Sequence, residues 1–134
     1  MARRHIEVDK PWHRSIPFAQ GVAATGSLLF TSGITARKGD GSIDGVGDMR
    51  RQMEVCFANM AVVLENAGIG WEDMVKITMY TTDIERFGEH ADVWRRHFTG
   101  RPGSTLVEVS RLALPEMLVE IEAVFDMGEA AHAS

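Results

Sequence analysis

The chain has 134 residues, 45% hydrophobic and 25% charged, a composition typical of one folded domain over 1–134 rather than of a disordered or membrane protein. Its formal net charge of -5 disfavours a nucleic-acid partner, because a phosphate backbone selects clustered Lys and Arg. No stretch approaches about 18 consecutive apolar residues, so no membrane span is expected.

Two features favour a cytoplasmic location. Residues 1–10 are too polar for a secretory signal peptide. The single cysteine, Cys56, excludes an intramolecular disulfide and fits a reducing compartment. Because Cys56 lies within a helical apolar pattern, it is expected to be a small core residue rather than a nucleophile.

The first elements in chain order are two short strands. Residues 22–25 and 28–32 flank Gly26-Ser27, a pattern that predicts an antiparallel hairpin. A further short strand within 5–8 is predicted to add an edge. Residues 38–47 are rich in Gly and Asp without apolar periodicity, and this predicts a loop.

A long amphipathic helix is predicted after this loop. Asp48 is the predicted N-cap, and Gly68 supplies the usual stop. Between them apolar residues recur at spacings of three and four, namely Met49, Met53, Cys56, Phe57, Met60, Val63, Leu64 and Ala67. Such a stripe is suited to packing on a sheet.

The second half of the chain alternates strands with one more helix. From Met74 the apolar residues fall at every second position, which predicts a half-buried strand. Asp83 is the predicted cap of a second helix, whose apolar face carries Ile84, Phe87, Ala91, Trp94 and Phe98. Two more strands are predicted over 104–110 and 118–125, and a flexible tail over about 128–134.

This order of elements predicts an α+β fold in which two helices pack on one face of a mixed sheet. In the last strand Val119, Ile121, Ala123 and Phe125 are expected to face the helices. The opposite face then collects Glu120, Glu122, Lys76, Thr78, Tyr80 and, if the strand registers allow, Leu106, Glu108 and Ser110. Such a face either meets water or meets another subunit and walls a pocket, and the alternation leaves both open.

A series of short motifs runs from about 17 to 124. They are Pro17-Phe18-Ala19-Gln20-Gly21-Val22, Leu29-Phe30-Thr31-Ser32-Gly33, the stretch from Asn59 to Gly68, Asp73-Met74-Val75-Lys76, and Val107-Glu108-Val109-Ser110-Arg111-Leu112 followed by Val119-Glu120-Ile121-Glu122-Ala123. In order and at similar spacing, they resemble motifs of the RidA (YjgF) family. The corresponding family motifs are Pro-Tyr-Ser-Gln-Ala-Val, Phe-Val-Ser-Gly, Asn-Leu-x-Ala-Val-Leu-Glu-Ala-Ala-Gly, Asp-Val-Val-Lys, and Val-Glu-Val-Ala-Arg-Leu followed by Ile-Glu-Ile-Glu-Ala.

This resemblance implies a fold, an assembly and a chemistry. The fold is a chorismate-mutase-like α+β subunit with about six strands, and the assembly is a barrel-like homotrimer with ligand clefts between neighbours. Typical members hydrolyse reactive enamines and imines, such as 2-aminoacrylate, to a keto acid and ammonia, without a cofactor or a metal. The implied partners are copies of the same chain and a small-molecule ligand.

The resemblance also assigns site residues, and here the sequence departs from it. Glu120 is kept and is the candidate catalytic residue that positions and activates water. The family arginine that holds a substrate carboxylate aligns with Ser104, the family tyrosine with Phe18, and a family cysteine with Leu106. The chain therefore resembles an arginine-lacking subgroup, with an altered and less anionic substrate.

Besides Ser104, three further residues are candidate ligand contacts, namely Thr105, Arg101 and Ser32. Ser104 and Thr105 offer hydroxyl and backbone N–H donors, and Arg101 either reaches the same cleft or is a solvated surface arginine. Ser32 is a candidate ligand contact, although no His and acid accompany it as a Ser-His-Asp triad requires.

A metal site is not expected. His90 and His97 lie seven residues apart on the predicted second helix, but no third ligand accompanies them, and both are expected to be exposed.

Two functional hypotheses follow. The preferred one is a hydrolase that deaminates reactive enamine or imine metabolites with an altered substrate. The alternative is a non-catalytic trimer that binds a metabolite or protects other proteins. A ribonuclease role gains nothing from an acidic chain.

Overall fold

The computed structural model describes residues 3–128. These residues form six strands and three α-helices, with 3-10 turns at Pro11–Ser15 and Trp71–Asp73. In chain order the elements are β1 (Arg3–Ile6), β2 (Gly21–Ala24), β3 (Ser27–Phe30), α1 (Met49–Ala67), β4 (Met74–Thr81), α2 (Ile84–Gly88), α3 (Ala91–Arg95), β5 (Gly103–Glu108) and β6 (Val119–Gly128). The predicted α+β class is confirmed. Within residues 3–128, no helix is long and apolar enough to cross a bilayer.

The main sheet has four strands in the order β3-β6-β4-β5. The pair β4 and β5 is parallel, and the other neighbours are antiparallel. On β6 the predicted core residues are almost fully buried on the helix-covered face, namely Val119, Ile121, Ala123 and Phe125. Full burial of a large apolar side chain contributes about 1.5–3 kcal/mol. The other face of this sheet is left for the site.

Helix α1 begins and ends as its sequence predicts. The Asp48 carboxylate accepts a hydrogen bond from the Arg51 backbone N–H at 3.0 Å, which caps the first turn. Gly68 adopts a left-handed φ of 74°, which closes the last turn. Cys56 is fully buried on the inner face, and burial raises the pKa of its thiol. The prediction that Cys56 is a core residue is confirmed.

The predicted hairpin of the first two strands is wrong. Strand β2 pairs with β1 and β3 pairs with β6, because Gly26, at a φ of 97°, carries the chain from a separate two-stranded sheet into the main one. Each strand gains a ladder partner distant in sequence, and Leu29 of β3 packs against the core. The edge strand expected within 5–8 lies instead at Arg3–Ile6.

The predicted second helix is divided into α2 and α3. Gly88 is a weak helix former, and His90 leaves helical geometry with φ -121° and ψ 33°. Phe87, Trp94 and Phe98 are nevertheless buried, so the periodicity identified the inner face but not the break. The flexible tail predicted over about 128–134 lies, apart from Gly128 at the end of β6, outside the described residues.

Candidate functional site

The face of the main sheet that the helices leave uncovered is termed the open sheet face. On β4 and β6 it carries the predicted polar set of Lys76, Thr78, Tyr80, Glu120 and Glu122, all partly exposed. Strand pairing aligns these side chains, because Thr78 lies opposite Glu122 and Tyr80 lies opposite Glu120.

On β5 the register differs from the one that the sequence suggested. Thr78 pairs with Thr105 and Met79 with Leu106, so Thr105 and Val107 join the open sheet face. Leu106 instead packs against the core on the side of Met79. The Glu108 carboxylate accepts a hydrogen bond from the Ile84 N–H at 3.0 Å and so tethers the start of α2. Leu106 and Glu108 are therefore corrected to positions off the open sheet face, and Ser110 lies beyond the end of β5.

The two carboxylates of the open sheet face have different surroundings. The Tyr80 hydroxyl donates to Glu122 Oε1 at 2.5 Å, and this hydrogen bond is the main reason that the pKa of Tyr80 is raised. The Tyr80 hydroxyl therefore remains protonated and donates its hydrogen bond to Glu122. Glu120 forms no ion pair among residues 3–128. Its carboxylate is left available for a ligand or a water molecule.

Gly33 makes room for the Glu120 carboxylate. The segment around Gly33 runs along β6, where Ile34 and Ile121 exchange two backbone hydrogen bonds of 2.6 and 2.9 Å. A Cβ at Gly33 would overlap the carboxylate, lying 2.8 Å from Glu120 Cδ. Ser32, the residue before it, is exposed. The contact between Gly33 and Glu120 was not predicted from the sequence, because it depends on a strand pairing that the local sequence does not reveal.

A cavity of about 450 Å³ lies beside the starts of β4 and β5 and is termed the edge cavity. Three predicted ligand contacts line it, namely Phe18, Ser104 and Thr105. The rest of its lining comes from Trp12, Ala19, Gln20, Gly21, Val22, Val75, Lys76, Gly103 and Val124. The Lys76 ammonium donates to Thr105 Oγ1 at 2.6 Å. Sequence reasoning had not assigned Trp12 or Lys76 to a binding site.

Arg101 does not line the edge cavity. Its Nε and Nη2 donate to the two carboxylate oxygens of Glu7 at 2.6 and 3.1 Å, and its Nη1 donates to the Ile16 carbonyl at 2.7 Å. The same hydrogen bonds lower the pKa of Glu7. Arg101 is thus not a freely solvated arginine within this chain, but links the N-terminal segment to the loop before β5.

Glu120 and the edge cavity are separated within one chain. Ser104 pairs with Ile77 on β4, and Ile77 pairs with Ala123 on β6. Ala123 lies three residues beyond Glu120. Two strand spacings and three residue rises place the Cα atoms of Ser104 and Glu120 about 14 Å apart. Glu120 is not among the residues that line the edge cavity. A small ligand in the edge cavity therefore does not meet Glu120 of the same chain.

The two histidines do not form a site. His97, expected to be exposed, stacks against Phe57 with ring centroids 4.6 Å apart and an interplanar angle of 5°, and lies 4.5 Å from the Trp71 ring. Burial and, to a lesser extent, Arg96 lower its pKa to about 4. His90 lies at the start of α3, outside this stack. Among residues 3–128 no three His, Cys, Asp or Glu side chains converge to hold a metal ion.

Residues 11–126 match the family model described as Endoribonuclease L-PSP. The chain belongs to this family, also known as the Rid or YjgF family. A RutC family protein from Synechocystis is 35% identical over 111 residues, which cover 81% of this chain and 84% of the relative. The putative reactive intermediate deaminase TdcF from Escherichia coli is 31% identical over 113 residues, which cover 81% of this chain and 84% of that protein.

Solved Rid structures share the fold. The Rid family protein YyfB from Yersinia pestis has a TM-score of 0.82 and 28% identity, over 94% of this chain and 99% of that chain. The crystal structure of Escherichia coli TdcF with bound serine has a TM-score of 0.65 and 26% identity, over 92% of this chain and 93% of that chain. The family predicted from the motifs is therefore confirmed.

Proposed function

We propose that this Rid family protein hydrolyses reactive enamine or imine metabolites to a carbonyl compound and ammonia. The observation that carries the proposal is the Glu120 carboxylate, which is partly exposed, forms no ion pair among residues 3–128, and lies on a sheet face that the helices do not cover. The name of the relative TdcF, a putative reactive intermediate deaminase, supports the same reaction class.

The chemistry needs one base that exchanges protons. In the proposed reaction a water oxygen attacks the carbon of a protonated imine while Glu120 accepts a proton from that water, and the C=N electron pair moves to nitrogen. The nitrogen of the carbinolamine then takes the proton from Glu120. The C–N bond then breaks with its electron pair going to nitrogen, so ammonia leaves as the hydroxyl oxygen forms the carbonyl. The hydroxyl proton passes to Glu120, which gives it up to the ammonia or to solvent. An enamine enters the same path after protonation at carbon.

The proposed assembly is a homotrimer whose sites are shared between subunits. In one chain, Glu120 is about 14 Å from Ser104 by strand geometry, too far to act on a small molecule in the edge cavity. A neighbouring copy supplies Glu120 in the proposed site. The apolar part of the open sheet face supports burial by association, because Phe30 is 69% exposed and Leu28 and Val107 are each 37% exposed.

The test is ammonia release from a panel of freshly generated imines. Glu120→Gln, which keeps the size of the side chain but cannot accept a proton, is expected to lower kcat/KM at least about hundredfold. Glu65→Gln on the exposed side of α1 is the matched control and should leave the rate unchanged. Equal rates for wild type and Glu120→Gln would overturn the assignment of the base.

The alternative function is a non-catalytic binding trimer, and one observation favours it. Ser104 stands where the resemblance places the family arginine, and a serine there would leave the proposed site without the guanidinium that holds a substrate carboxylate in two hydrogen bonds. Under this alternative no imine of the panel is hydrolysed above the buffer rate by an intact assembly, and Glu120→Gln leaves ligand binding unchanged.

A further inference from the structure

We infer that the edge cavity binds a carboxylate that carries a planar apolar group, with Lys76 and Thr105 holding the carboxylate and Trp12 and Phe18 holding the apolar group. This inference rests on the proposed function for its choice of substrate, which becomes a 2-imino acid with an aromatic side chain. It assigns to Lys76 the positive charge that position 104 lacks, so the inferred substrate keeps its carboxylate, in contrast to the less anionic substrate expected from the sequence.

Lys76 is the cation of the edge cavity. Its ammonium donates to Thr105 Oγ1 at 2.6 Å, which uses one of its three N–H groups. Lys76 takes part in none of the ion pairs formed by residues 3–128. Two of its N–H donors are therefore left to meet an anion, beside the hydroxyl of Thr105.

The backbone directs Lys76 towards this position. The pairing of β4 with β6 shifts between Met74 and Lys76, so Val75 is an extra residue on β4. Such a bulge bends a strand and re-aims the side chain next to it. Val75 is buried, while Lys76 lines the edge cavity and a second, smaller cavity on the open sheet face.

Two aromatic side chains, Trp12 and Phe18, also line the edge cavity. Trp12 lies on the 3-10 turn Pro11–Ser15 and is 60% exposed, although a large apolar ring of this kind is usually buried to a greater extent. Its ring is 6.5 Å from that of Phe18 at an interplanar angle of 75°, so the two rings form a corner. A planar group fits this corner. The volume of about 450 Å³ lies within the range of small-molecule sites.

This arrangement also explains how the site functions without arginine. A lysine is a point charge and does not fix the plane of a carboxylate as a guanidinium fork does. The aromatic corner supplies the missing orientation, because it holds the far end of the ligand. The inferred preference is therefore for aromatic over small aliphatic imino acids.

Three probes test the inference by binding to the intact wild-type protein, followed by calorimetry. They are phenylacetate, which has both groups, acetate, which has only the charge, and phenylacetamide, which has only the ring. Phenylacetate is expected to bind at least about tenfold more tightly than either, because a hydrogen bond to a charged group contributes about one factor of ten or more. Equal affinity for phenylacetate and phenylacetamide would overturn the inference.

Variants locate the two contacts, with calorimetry as the readout. Lys76→Met should weaken phenylacetate binding about ten- to a hundredfold and leave phenylacetamide unchanged, and Lys76→Arg should restore most of the loss. Lys38→Met, which removes an exposed charge from the loop, is the control and should have no effect. Trp12→Leu should weaken phenylacetate but not acetate. Unchanged phenylacetate binding in Lys76→Met would overturn the inference.

Ammonia release separates this inference from the proposed function. If phenylacetate binding depends on Lys76 but no imine is hydrolysed, the proposed function fails and the binding site stands. If aromatic imino acids are hydrolysed and Lys76→Met has the KM of wild type, the function stands and the assignment of Lys76 fails.

Discussion

Protonation of His97 is expected to destabilise the fold in mild acid. The ring is stacked on Phe57 and lies against Trp71, and its pKa is lowered to about 4 from 6.5, first by burial and then by Arg96. Between these two values the unfolded chain binds a proton that the folded chain does not. Stability is therefore expected to fall as the pH drops from about 6.5 to about 4 and to lose nothing more from His97 below that.

The size of the effect follows from the same two values. The ratio of the proton affinities of His97 in the unfolded and folded chains, at about 1.4 kcal/mol for each factor of ten, limits the loss in the free energy of unfolding to about 3.4 kcal/mol. Because the ring is partly exposed, solvent screening reduces the expected loss to roughly 1–2 kcal/mol. Carboxylates with lowered pKa values, such as those of Glu7 and Asp44, add to acid sensitivity at lower pH.

The assay compares wild type with two variants so that the contributions of the carboxylates cancel. His97→Phe keeps a ring in the stack but cannot be protonated, and His90→Gln, outside the stack, is the control. Urea unfolding of each protein at pH 7.5 and 4.5 gives the change in its free energy of unfolding. One protein concentration is used throughout, because the proposed subunit association would add to stability. Wild type and His90→Gln should lose roughly 1–2 kcal/mol more than His97→Phe. An equal loss in all three proteins would refute the assigned environment of His97.

Two further perturbations test the site and the core. Gly33→Ala is expected to displace the Glu120 carboxylate by about 1 Å and to lower kcat/KM for imine hydrolysis by about a hundredfold. Gly39→Ala is the control, because a Cβ at Gly39 meets open space, and it should leave the rate of ammonia release unchanged. Equal rates for the two variants would contradict the role of Gly33. Gln52 is fully buried and bonds two carbonyls and the Leu118 N–H. Gln52→Leu is expected to cost about 2–4 kcal/mol in urea unfolding, and a loss below about 1 kcal/mol would show that these bonds contribute little.

Local chemistry made part of the fold predictable. Asp48 and Gly68 were predictable as the two ends of α1, because a helix cap and a left-handed turn depend on adjacent residues. The alternation in β4 and β6 likewise separated the buried from the open side chains. Strand partners are non-local, so the same reasoning paired β2 with β3 and placed Leu106 on the wrong face.

The candidate site was less predictable because it depends on distant contacts. Arg101 is held by Glu7, 94 residues earlier in the chain, and no local pattern reveals that pair. Lys76 is visible as a polar residue of a strand, but its place in the edge cavity depends on the bulge at Val75 and on Trp12. The family resemblance supplied Glu120, Phe18 and Ser104, and it supplied no replacement for the arginine.

The central claim is that each site combines Glu120 of one subunit with the edge cavity of another. Two variants separate these halves, namely Glu120→Gln, which removes the base, and Ser104→Trp, which fills the cavity. Each is expected to be inactive alone while keeping the wild-type assembly, measured by light scattering.

Coexpression with two different affinity tags allows mixed assemblies to be purified, and their rate of ammonia release is the deciding measurement. In a cyclic trimer with sites between neighbours, every mixed trimer regains one intact site, so about one third of the wild-type rate is expected. A mixed assembly as inactive as its two parents would contradict the account, because it would place Glu120 and the cavity of each site in the same chain.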